Sequence, residues 1–387
     1  MTGTPDVVII GAGVVGASAA WRLAERGCRV TVIDRADDFG KGSTGRATGG
    51  YRAQFATEIN IRLSLMARDM LRSFEEMTGI DSGYRPYGYL LLTRSADELS
   101  SLLVAQELQH RLGLTEAVEV SADDALRLNP ALASGTFSGG VYCPTDGFIR
   151  PLGILEGYVA AARRLGVEFR FDEEPLGCER DSAGRVTSVR TSRGTHSCGA
   201  IVNAAGAWAA RVAALADIDL PVWPAKRQVA ITEPYAGLPV DMPMTIFAGD
   251  GFHLRVRDDR VLLVQPRDHD SADPFDTSFD ESWLDEVIAL ARERVPCLRS
   301  ASIDRDACWA GLYEMSPDKH AILGATPEAP NFYFANGSSG HGVMHSGPLG
   351  LLVAEAIVDG APHSLDATAL GPSRFAEGRP NPSPGLL

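Results

Sequence analysis

Asp6-Val-Val-Ile-Ile10 is a short, β-branched apolar run, and glycines at 11, 13 and 16 follow it at once. Ala17 to Arg26 then mixes apolar and polar positions among strong helix formers, Gly27 closes that stretch, and Arg29-Val-Thr-Val-Ile33 resumes the apolar run. The order strand, glycine turn, helix, strand is a βαβ unit, so its two strands should run parallel.

Helical spacing recurs over Ile59–Met77, Ala96–Arg111, Leu152–Leu165 and Ser282–Arg294. Strands are predicted at Val167–Phe171, Thr187–Thr191, Ala200–Asn203, Gln228–Thr232, Gly251–Val256, Val261–Val264 and Phe332–Ala335. A last helix is expected to start at Pro348 and run to Val358, while Leu90–Leu92 and Leu351–Val353 read as core. Mixed segments at both ends and a β-rich middle predict an α/β fold. Its Rossmann-like domain is discontinuous, with an antiparallel β-rich substrate domain inserted. The boundaries fall at 1–85, 145–220 and 310–370 for the first domain and 86–144 and 221–309 for the second. The Pro/Gly/Ser-rich residues 371–387 are expected to form a loose C-terminal tail.

Composition narrows the class. With 387 residues, 45% hydrophobic and 22% charged, the chain reads as a globular protein large enough for two or three lobes. A net charge of −14 has the wrong sign for tracking phosphate backbones or anionic lipid, so no nucleic-acid or membrane partner is expected. No uninterrupted apolar run reaches the ~18 residues of a membrane span. Glycines also break Val7–Ala20, where a secretory leader would need a continuous core. Six scattered cysteines without a CxxC pair read as reduced thiols of a cytoplasmic enzyme, and no metal site is expected.

The glycine turn carries the first chemistry. Gly11 permits a tight turn, Gly13 lets the backbone approach a pyrophosphate, and Gly16 lets the helix lie close on the strand. Val14 and Val15 start the helix whose N–H groups face the phosphates. Asp34 ends the second strand, where it can accept from ribose hydroxyls and would repel the 2′-phosphate of NADP; Arg35 follows it. Two further loops favour FAD over NAD. Gly42-Ser43-Thr44-Gly45-Arg46 supplies donors for the rest of the pyrophosphate and the ribityl chain. Asn336-Gly-Ser-Ser-Gly340-His341-Gly342, before a helix, can aim a positive end at the flavin. Either loop alone is also readable as an ordinary glycine-rich connection. There is no second GxGxxG for NAD(P)H, so the electrons should come from an organic substrate.

With these loops in view, the chain resembles the D-amino-acid-oxidase-like FAD-dependent oxidoreductase superfamily. It lies nearest the branch with sarcosine oxidase, dimethylglycine dehydrogenase and the dye-linked L-proline dehydrogenase β subunit. The match is carried by Val7–Arg35, Gly42–Phe55, Val202-Asn-Ala-Ala-Gly-Ala-Trp208, and Trp309–Val358 with Tyr313-Glu-Met-Ser-Pro-Asp318 and Ser339-Gly-His-Gly342. The resemblance implies FAD between the two domains, contacted by Ala204, Gly206, Trp208, Gly311, Gly340, His341, Gly342, Val343 and Met344. It also places Arg52 where sarcosine oxidases hold the substrate carboxylate, a role that a guanidinium fork suits. The alternatives for Arg52 are a surface arginine or a phosphate ligand.

Departures from the family pattern count too. Gly311 and Arg46 stand where relatives carry a flavin-linking cysteine or histidine, so FAD is expected to be non-covalent. Met344 and His253 stand where sarcosine oxidase has lysines for the carboxylate and for oxygen, which puts sarcosine and efficient use of O₂ in doubt.

The expected reaction is hydride transfer from the α-carbon of a small amine or amino acid to flavin N5, giving an imine. Secondary, N-methyl or cyclic amino acids are favoured, with O₂ or a quinone- or dye-type acceptor. Candidate catalytic residues are Arg52, His253, His341, Tyr313 and Met344. The bland readings stay open: an idle strand face for His253, a structural His341, a core Tyr313. His345 is a weaker candidate, and Asp318 should satisfy its own turn. Rival functions are a non-catalytic FAD-binding assembly factor, a subunit of an electron-transfer complex with partner subunits, and 2-hydroxy-acid oxidation.

Overall fold

The computed structural model describes residues 6–267 and 272–383. A six-stranded sheet is ordered Ile322–Thr326, Ala329–Asn336, Ala200–Asn203, Val7–Ile10, Val30–Ile33, Glu168–Arg170. Val7–Ile10 pairs in parallel with Val30–Ile33 on one side and Ala200–Asn203 on the other, as the βαβ pattern requires. The chain ends Ile322–Thr326 and Ala329–Asn336 add an antiparallel hairpin at one edge.

Two helices cover this sheet, the opening helix Val14–Glu25 and the closing helix Gly342–Val358. They approach closely because Gly350 carries no side chain: a Cβ there would lie 2.2 Å from Ser18 Oγ and 2.7 Å from the Ala19 nitrogen. Both helices contribute to one apolar core with Pro151–Arg164 and Glu58–Arg72.

An eight-stranded sheet forms the second layer. Its order is Trp309–Met315, Trp223–Ile231, Arg260–Val264, His253–Arg257, Met244–Phe247, Tyr89–Thr93, Gly139–Cys143, Val118–Ser121. All its pairings are antiparallel except Met244–Phe247 with Tyr89–Thr93. The fold is thus mixed α/β. Among the described residues no helix is long and apolar enough to cross a membrane.

The structure departs from the patterning at several points. The closing helix starts at Gly342, with Pro348 inside it rather than at its head. Packing decides this, since Met344 to Gly350 are all buried, and the rule that proline opens helices is overridden. The predicted helix over 59–77 breaks at Ser73, whose hydroxyl donates back to Asp69 O at 3.1 Å, a bond that competes with the helical ladder. Residues 309–315 pair along their whole length with 223–229, although local pattern groups positions from 310 onward with the other sheet. Nor is the tail loose where it is described. Arg374 is 2% exposed and reaches both Asp318 oxygens at 2.8 and 2.9 Å, and the Asn381 amide donates to Asp318 at 2.9 Å.

Candidate active site

One cavity of ≈ 440 Å³ opens where the two layers meet. Among its lining residues are Gly11, Gly13, Val14, Val15, Asp34, Arg35, Gly42, Ser43, Thr44 and Arg46, then Ala204, Gly206, Trp208, Gly311, Tyr313, Gly340, Gly342, Val343 and Met344. Of the residues singled out from sequence, Gly16, Gly45, Arg52, His253 and His341 do not line it.

At one end the glycine turn is forced by space. Gly11 has φ +111°, and a Cβ there would stand 2.4 Å from Ala204 O; at Gly16 it would stand 2.0 Å from Gly11 O. Gly11 therefore forms the cavity wall, and Gly16 leaves room for the Gly11 carbonyl behind it. Asp34 braces the same turn, accepting from the Ala12 amide at 2.7 Å and the Ala36 amide at 2.9 Å. The opening helix has no side chain from its own N-cap on its first amides. Thr44 Oγ1 takes the Val14 N–H from across the cavity at 3.2 Å.

The Gly42–Arg46 turn is held to the other layer. Ser43 Oγ donates to Leu312 O at 2.6 Å, and Trp309 Nε1 donates to Arg46 O at 2.8 Å. The Arg46 side chain lies against Gly311, where a Cβ would be 3.0 Å from Arg46 Cβ. Gly45 is fixed by its own turn: a Cβ would meet Gly40 O at 2.4 Å. Nearby, Trp208 sits in a stack that sequence did not announce. The Arg35 guanidinium lies 4.2 Å from the Trp208 ring, Trp208 lies 5.5 Å from Phe275 at 18°, and Arg211 lies 3.9 Å from Phe275.

At the other end stand Tyr313, Glu314 and the head of the closing helix, with no side-chain cap on that helix. Glu314 Oε1 accepts from the Ser338 amide at 3.2 Å, while Oε2 is buried without a hydrogen-bond partner. Burial, opposed by bonds from Ser338 and Gly337, pushes the Glu314 carboxyl up to about 7. A strand glutamate usually reads as solvent-facing, which is why only its place in the Tyr313–Asp318 motif could have flagged it.

Arg52 stands apart from the cavity lining, half-buried among rings. Its guanidinium lies 4.2 Å from the Phe55 ring, donates to Gln54 O at 3.1 Å, and sits 3.4 Å from His341 Nε2. Among the described residues no carboxylate forms an ion pair with it; Asp146 is the one carboxylate whose charge reaches it, alongside the Tyr89 and Tyr313 hydroxyls. Burial lowers the Arg52 pKa. His341 is lowered well below the usual histidine range by burial and by Arg52, and His345 to about 3 by the same two causes. His345 Nε2 lies 2.8 Å from Ser64 Oγ, so it is engaged in the core.

His253 Nδ1 is 2.8 Å from Gly251 O, and burial first, then the Arg52 charge, lowers its pKa. Arg255, which strand alternation puts on the same face as His253, reaches Thr48 O at 2.9 Å and Gly49 O at 2.8 Å. Asp146, missed in the sequence, is fully buried and accepts from the Ala53 amide at 2.7 Å and Gln54 Nε2 at 3.0 Å. Those two bonds hold the backbone that carries Arg52. Asp318 accepts from the His320 amide at 3.2 Å within its turn.

Known proteins resemble this chain along nearly its whole length. A family model described as "FAD dependent oxidoreductase" matches residues 6–356. A glycine oxidase of Geobacillus kaustophilus is 29% identical over 94% of this chain and 97% of its own. FAD-dependent oxidoreductase domain-containing protein 1 of Xenopus laevis is 28% identical over 96% of this chain and 82% of its own. Among solved structures, L-proline dehydrogenase from P. horikoshii superposes with a TM-score of 0.90 at 28% identity, covering 98% of this chain and 99% of its own.

Proposed function

The chain belongs to the FAD-dependent oxidoreductase family, whose model spans residues 6–356, and on that premise we propose that it oxidises a small amine or amino acid at its carbon–nitrogen bond. Secondary amines, N-methyl and cyclic amino acids are the favoured substrates. The cavity fits FAD: the Gly11 turn on its wall exists only because Gly11 and Gly16 carry no Cβ against the backbone behind it, two helix heads face it, and a buried Glu314 oxygen in it lacks a partner. Gly11, Gly13, Asp34 and Thr44 would hold the nucleotide half, and Gly340, Gly342, Val343 and Met344 the redox-active half. The chemistry that FAD supplies here is acceptance of a hydride from the substrate's α-carbon, which leaves the substrate as an imine.

The observation that carries the reading is Arg52, a half-buried cation without an ion-pair partner among the described residues. A guanidinium left unpaired in apolar surroundings costs free energy that an incoming carboxylate recovers. Phe55 under its face and His341 at its edge fix the fork, so a bound carboxylate would be held in one orientation. Tyr313 lines the cavity close enough to feel the Arg52 charge, and Met344 adds an apolar wall. No strong base is needed if the amine reacts neutral, which suits a site whose histidines are held uncharged. With His253 in place of a lysine, a quinone- or dye-type acceptor is favoured over O₂.

The test is anaerobic mixing of the FAD-loaded protein with N-methyl amino acids, proline and D-amino acids, followed by flavin absorbance. Bleaching by at least one member is expected. A flavin that stays oxidised with the entire panel, yet bleaches with dithionite, removes the reading in favour of a non-catalytic FAD-binding role.

A further inference from the structure

Glu314 is a carboxyl group placed where a charge should be expensive. It sits on the strand Trp309–Met315, lines the cavity, and keeps one oxygen buried without a partner. Its other oxygen takes the Ser338 amide and lies 3.7 Å from where a Cβ at Gly342, the first residue of the closing helix, would stand. The unpartnered oxygen and the uncapped helix head thus face the same end of the cavity. That end is built from other elements than the Gly11–Asp34 turn, which the dinucleotide fingerprint reserves for the adenosine half.

We infer that Glu314 contacts the redox-active half of FAD and takes up one proton when the cofactor is reduced, an inference that rests on FAD filling this cavity. The step balances simply. Two electrons and one proton enter the cofactor, leaving it with one added negative charge. A second proton from solvent joins the Glu314 carboxylate and offsets that charge. In its neutral form the acid donates through the oxygen that now lacks a partner.

The geometry leaves Glu314 free to respond. Its pKa of about 7 comes from burial, opposed by the Ser338 and Gly337 amides, with no charged side chain acting on it. The charged and titratable groups on the surrounding elements are Lys226 and Arg227 on the neighbouring strand, Arg46 beside Gly311, Tyr313 next in sequence, His341 in the loop, and His345 on the closing helix, lowered to about 3 by burial and Arg52. Tyr313 is raised by burial and His341 lowered by it, so neither changes charge near neutrality. New negative charge in the cavity would push Glu314 higher still.

The experiment is a redox titration of the FAD-loaded protein with dithionite and reference dyes between about pH 5.5 and pH 9, for the wild type and for Glu314→Gln. A two-electron, one-proton couple falls by about 30 mV per pH unit, and a second proton doubles that slope. The variant should follow the shallow slope throughout. The wild type should match it below about pH 6 and then fall at about 60 mV per pH unit above about pH 7. Superimposed curves overturn the inference, and so does a shallow slope across the whole range in the wild type alone, which needs no variant to fold. The titration uses no substrate, so an inactive amine panel leaves it intact. A purified protein that cannot be loaded with FAD ends both readings.

Discussion

His341 Nε2 faces Arg52 Nη2 at 3.4 Å, and because a guanidinium has only donors, that ring nitrogen must be the acceptor. His341 is therefore neutral with its proton on Nδ1, the state that burial and the Arg52 charge both favour. A histidine so held positions the arginine and does not serve as a base in the working pH range.

His341→Ala should accordingly raise KM by roughly three- to fivefold, about the worth of one long hydrogen bond, with a smaller change in kcat. The shape of the pH profile should stay as it was. Steady-state kinetics of the two proteins from about pH 6 to pH 9 check this. Disappearance of a pH limb in the variant would make His341 a titrating base and contradict the assigned tautomer.

A second expectation concerns how FAD is held. Gly311 and Arg46, which touch each other, offer no nucleophile for a flavin bond. The nearest thiol in sequence, Cys308, packs with Val229, Ile231, Leu262 and Val264, lies 3.3 Å from Asp304 O, and is raised by burial. A thiol kept protonated in an apolar cluster is inert. After precipitation with acid, the yellow colour should remain in the supernatant; colour in the washed pellet would show a covalent bond.

The buried pair Arg374–Asp318 carries a third. Truncating one partner strands the other's charge, which typically costs about 3–5 kcal/mol. Arg374→Ala should therefore lower the midpoint of urea unfolding strongly, and deletion from residue 371 should do at least as much. Asp318 is held down at about 2, with burial opposed by the Arg374 bonds and the Asn381 and His320 amides. A depressed carboxyl contributes its stability above the unfolded pKa and loses it as pH falls, here between about pH 4 and pH 2. Arg374→Ala should flatten that acid loss, and an unaltered urea midpoint would show the tail to be an ornament of the fold.

What sequence could and could not reveal follows from the range of the forces involved. Gly11, Gly13 and Asp34 were legible because a dinucleotide turn needs its glycines and its acid within one βαβ unit. The Gly42–Arg46 and Gly340–Gly342 loops needed the whole-chain resemblance, since each alone looks like any flexible connection. Glu314 and Asp146 were not legible: both are acids whose burial comes from strands far apart in sequence, and an acid on a strand or turn is by default exposed. The Phe275–Trp208 stack was hidden for the same reason, with its partners 67 positions apart (275 − 208). The head of the closing helix was misjudged because Pro348 is a strong local signal, and only packing against the opening helix outweighs it.

Asp146 should leave its mark on stability in the opposite sense to Asp318. Burial pushes its carboxyl up to about 6, even though the Ala53 and Gln54 amides and the Arg52 charge pull the other way. The unfolded chain therefore releases this proton more readily than the folded one, and stability falls as pH rises from about 4 to about 6. The other groups that feel Asp146 are Tyr51, Tyr84, Tyr89 and Cys143, all raised by burial and uncharged across that window. Asp146→Asn should remove this part of the slope, so the variant-minus-wild-type difference in unfolding free energy should move in the variant's favour between pH 4 and pH 6. The change should be on the order of 2 kcal/mol, less whatever the protein recovers by letting the Gln54 amide turn. Urea unfolding of the FAD-free proteins at each pH reads it directly. A difference that stays constant from pH 4 to pH 7 would mean that Asp146 keeps an ordinary carboxyl in the fold, and that the ground under Arg52 is held by shape alone.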